Sequence, residues 1–162
     1  MNKFPNLNKK LLSQYSTPNL KVYTVNQTAV CRDNIAFVGG GHDLVYSFIP
    51  SKEIWIAENL PPIERKYFVY HELYERRKMS MGLDYDTSHN MANVVEIKAR
   101  NSKETELDKM IRQEMERVTL SERSHFNGTL NLHKDGALHH THHKNISRPE
   151  PKRLAVINVY AK

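Results

Sequence analysis

The chain has 162 residues, 39% of them apolar and 26% charged, with a formal net charge of +6. That length and composition predict one domain over residues 1–162 with its own core, and no apolar run approaches a membrane-spanning length. Cys31 is the single cysteine, which excludes an intrachain disulfide and a cysteine-built zinc cluster.

The first residues lead into no apolar run of signal-peptide length, so an intracellular, cytoplasmic protein is expected. Residues 21–26, 29–32, 35–38, 44–49 and 53–57 are short, rich in Val, Ile, Tyr and Phe, and separated by turn residues. They predict a small antiparallel sheet over residues 21–60. Between two of these strands lies Gly39-Gly40-Gly41. No helix pattern or Gly-Lys-Ser/Thr follows it, so a hairpin turn is expected and not a phosphate cradle.

From Pro61 the apolar period changes. Ile63, Tyr67, Val69-Tyr70 and Leu73-Tyr74 fit a helix that starts at Pro62 or Ile63 and stops at Gly82. Asp84 and Asp86 offer caps for a second helix through Arg100, and residues 104–122 read as a third, with Leu107, Met110-Ile111, Met115 and Val118 inward. These helices make up an expected helical part over 62–123. Strands are expected again at 129–133, at 137–143 after a Lys134-Asp135-Gly136 turn, and at 154–160, within a basic, histidine-rich region over 124–162. The fold class expected is therefore α+β: sheet, three helices, then a C-terminal β-hairpin and strand.

The chemistry concentrates on the first long helix. His71 and Glu75 are one turn apart on one face and can hold one divalent ion, with Glu72 between them as the general base, turned toward the open side. His89 is the expected third ligand, because Gly82 reverses the chain and the second helix brings His89 back in its first or second turn. Glu96, two turns further, is expected to orient His89 or pair with Arg76 or Arg77, with a fourth-ligand role as the alternative. Zinc is the expected ion, since a few imidazole and carboxylate ligands beside a proton-accepting carboxylate are what zinc hydrolysis requires. Tyr85 is the candidate oxyanion donor. The competing reading is a solvated helix face in which Glu72 and Glu75 pair with Arg76 and Lys78.

The run Ile49-Pro50-Ser51-Lys52-Glu53-Ile54-Trp55-Ile56-Ala57, then Glu64-Arg65, Tyr70 to Met79, Gly82, Tyr85, His89, Ala92 and Glu96 resembles small zincin-like metallopeptidase domains of prokaryotes and their phages. The likeness covers about residues 44–100. It implies an active-site helix under an edge strand, here residues 53–57, that pairs with an extended protein or peptide substrate. A phage-encoded protein of this kind would act in the host cytoplasm. The chain departs from most zincins in carrying Glu75 for the second histidine and His89 where many have glutamate.

Toward the end, His139, His140, His142 and His143 alternate so that either like-facing pair can hold a metal, against the reading of a polar hairpin. The run from Arg148 to Arg153 is a candidate contact for nucleic acid or an acidic protein. These features support a second expectation of another class, a metal-stabilised binding module without catalysis. Tyr67, Tyr70 and Tyr74 fall at helical spacing and read as core-facing. Cys31 reads as a small buried residue.

Overall fold

A computed structural model describes residues 4, 7–32 and 36–132. The expected hairpin, its four clustered histidines, the strand at 154–160 and the basic run at 148–153 lie outside those residues.

Strands β1 (Lys10–Leu11), β2 (Lys21–Val25), β3 (Gly40–His42) and β4 (Glu53–Ala57) form one sheet in the order β1-β2-β4-β3. The expected all-antiparallel sheet is mixed instead. β2 and β4 run parallel, Lys21 opposite Glu53 through Val25 opposite Ala57, because helix α1 (Gln27–Cys31) and β3 lie between them in sequence and carry the chain across. β1 pairs with β2, and β3 with β4, in the antiparallel sense. The segment 53–57, expected at the edge, is thus interior, and β3 is the edge strand beside it. An interior strand is buried on both faces, and Ile54, Trp55, Ile56 and Ala57 are all buried.

The alternation of β4 divides two cores. Ile54 and Ile56 pack on the helical side with Val22, Val69, Tyr70, Leu73, Leu107 and Ile111. Trp55 faces the other way, into an aromatic cluster with Phe4, Phe37, Tyr46 and Ile49.

Several other local expectations yield to stronger local chemistry. Residues 29–31 are helical, not extended, because the Asn26 side chain accepts the Ala29 N–H at 3.1 Å and caps α1. Residues 36–38 form no strand. Residues 44–49 turn, with Val45 and Tyr46 both donating their N–H to the His42 carbonyl.

Helix α2 (Pro62–Ser80) starts at the expected proline and is followed by Gly82 at φ 98°, the left-handed conformation that suits glycine after a helix. Helix α3 (Tyr85–Arg100) is capped by Asp84, whose side chain accepts the Thr87 N–H at 2.9 Å. Helix α4 (Glu104–Leu132) runs on past residue 123, so residues 129–132 are helical where a strand was expected. Among the described residues no helix is long and apolar enough to cross a membrane.

The triglycine run is not a hairpin turn. Gly40 and Gly41 lie in β3, which runs alongside α2 in the same direction. Phe68 meets Gly39, Glu72 meets Gly40, Glu75 meets His42 and Arg76 meets Asp43. Eight helical residues rise about 12 Å and four strand residues about 13 Å, so the two elements stay in step. The glycines permit this approach. A Cβ at Gly39 would lie 2.2 Å from the Phe68 ring, and one at Gly40 would lie 3.1 Å from Glu72 Oε1.

Candidate metal centre

Because α2 and α3 pack as neighbours joined by the Gly82 reversal, the three expected ligands converge. His71 Nε2 lies 3.2 Å from Glu75 Oε2 and 3.3 Å from His89 Nδ1, and Glu75 Oε2 lies 2.6 Å from His89 Nδ1. Donors about 2.0–2.2 Å from a tetrahedrally held ion stand about 3.3–3.6 Å apart. Two sides of the triangle are close to that spacing and the third is a hydrogen-bond distance. His71 and Glu75 are buried, while the His89 side chain is 26% exposed and forms the solvent-facing side.

Glu72 does not turn to an open side. It is fully buried beside Gly40 and groups with His42 and Glu75, with one potential ligand atom from each lying within 4.8 Å of the others. Two wholly buried carboxylates in one cluster require compensating positive charge, because burying an ion unpaired costs several kcal/mol. This overturns the solvated-face reading. Arg76 bonds Asp43 at 2.6 Å and Arg77 bonds Glu114, in place of the expected pairing of a solvated helix face. The donor set of two imidazoles and a carboxylate, with a further carboxylate alongside, could hold a metal ion.

Electrostatics point the same way. Burial pulls the His71 pKa down, but hydrogen bonds to Glu75 and Glu96 outweigh it and push it up to about 10. Burial would raise Glu75, yet His42, His71 and His89 hold it well below the usual carboxylate range. Surroundings that retain a proton this firmly also favour a metal cation.

Glu96 orients His71 and not His89. The His71 Nδ1–H donates to Glu96 Oε2 at 2.8 Å, which leaves Nε2 to face the triangle, the carboxylate–histidine arrangement that supports metal ligands. Arg100 holds the other oxygen of Glu96 at 2.8 Å and is itself gripped by both oxygens of Glu64. Glu96 thus bonds His71 from outside the cluster of His71, Glu75 and His89. Tyr85 stacks on His89, ring centroids 5.3 Å apart at 17°, and helps to fix that imidazole.

Sequence reasoning missed His42. It ends β3, is fully buried, and its Nε2 lies 3.1 Å from Glu75 Oε1. The one signal that could have found it was the glycine run before it, had that run been read as a strand pressed against a helix. The chain matches no family model, and no curated protein or solved structure is significantly similar to it, so the chemistry of the centre rests on the geometry above.

Proposed function

We propose that the chain is a zinc-dependent hydrolase of the peptidase type, with His71 Nε2, Glu75 Oε2 and His89 Nδ1 as ligands and a peptide or protein as substrate. The convergence of those three donors beside a second buried carboxylate carries the reading. A zinc ion held there supplies Lewis acidity toward water and a peptide carbonyl. Glu72 accepts the proton from the attacking water and returns it to the leaving amine. Glu96 keeps His71 in the ligating tautomer, and Tyr85, stacked on His89, offers a hydroxyl to the developing oxyanion.

A second reading is favoured by one observation, the complete burial of Glu72. In it the metal only braces the fold, and the chain is a binding module for nucleic acid or an acidic protein. Zinc analysis of untagged protein, together with peptide-library cleavage by wild type and Glu72→Gln, separates the two. The hydrolase reading expects about one zinc per chain in both proteins and a loss of about 10²–10⁴-fold in cleavage for the variant. Zinc retained without cleavage by either protein supports the binding module. Protein that neither carries nor takes up zinc refutes both.

A further inference from the structure

Glu75 presents its two oxygens to different neighbours. Oε2 faces His71 and His89, while Oε1 faces His42, with Glu72 close by. Such a layout invites two opposite interpretations. Either Glu75 bridges two ions, the second held by His42 and Glu72, or His42 is a support that occupies Oε1 and leaves Oε2 to a single ion.

The backbone decides between them. The Leu44 N–H donates to His42 Nδ1 at 3.2 Å, so Nδ1 presents its lone pair and the ring proton sits on Nε2. A histidine that ligates through Nε2 needs the opposite tautomer, with its proton on Nδ1, and that proton would point at the Leu44 N–H. His42 Nε2 is instead a donor, and the acceptor 3.1 Å away is Glu75 Oε1. The ring is also firmly placed. The next residue, Asp43, accepts from Arg76 at 2.6 and 3.1 Å and from the Lys52 N–H at 2.7 Å, which fastens the turn after β3 to α2 one residue beyond Glu75.

We infer that His42 is a positioning residue: its Nε2–H holds Glu75 Oε1, so that Glu75 offers Oε2 alone and the centre takes one metal ion, not a carboxylate-bridged pair. This rests on the proposed metal site and adds to it a support from the edge strand that complements Glu96 behind His71. Each of the two helix α2 ligands then has its own polar brace, one from α3 and one from β3.

The experiment is a zinc titration of the full chain against a chromophoric chelator, with wild type, His42→Leu and His42→Gln. Long-range proton–nitrogen NMR of the histidine rings of the wild type is recorded with and without zinc. Wild type should bind one zinc. His42→Leu should bind it about 10–100-fold more weakly, as loss of an outer-shell partner typically does. His42→Gln, whose amide can donate from the same position, should recover much of the loss. The NMR spectrum should show the His42 proton on Nε2 in both states, a readout that does not depend on either variant folding. Two zinc ions bound with similar affinity, a His42 ring that ligates through Nε2, or an unchanged affinity in His42→Leu would each overturn the inference while leaving the His71–Glu75–His89 site standing. A wild type that binds no zinc removes that site and the inference with it.

Discussion

Substituting alanine for Gly41 tests whether the edge strand is held in place as tightly as the site requires. A Cβ at Gly41 would lie 2.4 Å from Tyr46 Cε2 and 2.6 Å from Cδ2. Carbon atoms pack at about 3.5–4.0 Å, so the ring or the strand must retreat by about 1 Å. The ring has little room to do so. Its hydroxyl donates to the Ala36 carbonyl at 2.9 Å, and its face and edge meet Phe48 and Phe37 at centroid distances of 5.1 and 5.8 Å. Overpacking of this kind costs about 1–3 kcal/mol. At about 2–4 °C per kcal/mol for a chain of this size, Gly41→Ala should melt roughly 2–12 °C below wild type. His42 follows directly in β3, so zinc affinity should weaken with it. Thermal and urea unfolding followed by circular dichroism measure the first effect, and chelator competition the second. A variant with wild-type stability and zinc affinity would show that β3 is free to shift, and would refute the reasoning.

Two further outcomes follow from buried ion pairs. Glu114 is fully buried and accepts from Arg77 across the α2–α4 contact, with the Arg77 side chain only 10% exposed. Glu114→Ala should therefore cost about 3–5 kcal/mol by stranding the guanidinium, read from the urea midpoint, whereas replacing both partners with apolar residues should cost less. At Asp43, burial would raise the carboxyl pKa, but hydrogen bonds from Arg76 and from the Lys52 backbone hold it below its ordinary 3.8. A depressed carboxylate stabilises the fold fully above its unfolded pKa and loses that contribution as pH falls through the lower folded value. The stability gap between wild type and Asp43→Asn should thus be full at neutral pH and shrink in acid below about pH 4, in urea midpoints measured across that range. A gap that widens in acid would contradict this sign.

What the sequence made legible was what short-range chemistry controls. Pro62 and Gly82 bracket α2, Asp84 caps α3, and the four-residue spacing of His71 and Glu75 with the returning His89 brought three donors together as expected. The misreadings share a different cause. Residues 29–32, a short apolar run, and residues 129–132, a short alternation of leucine with polar residues, fit a strand or a helix equally, and in each case a neighbour settled the matter: the Asn26 cap for the first and the continuing α4 for the second. The parallel pairing of β2 with β4 joins residues 32 positions apart, Lys21 with Glu53, and no local pattern records such a partnership. His42 was hidden for the same reason. Its role exists only once β3 lies against α2, and the glycines that allow this look, in a sequence, like any turn. Glu96 was expected beside His89 but meets His71, since which histidine it reaches depends on the crossing of α2 and α3.

The outer strands of the sheet bear on how the chain avoids its own kind. Both five-residue strands, β2 and β4, are interior, and the outermost strands have only two and three residues. One outer strand carries Lys10, and the other is wholly buried from Gly40 to His42. Among the described residues, an extended segment from another molecule therefore finds either a two-residue rim bearing a charge or a strand already covered, and no long strand edge on which to template. Short or shielded rims of this kind are how natural sheets resist edge-to-edge aggregation. The close packing of β3 against α2 thus protects colloidal stability through the same contacts that brace Glu75.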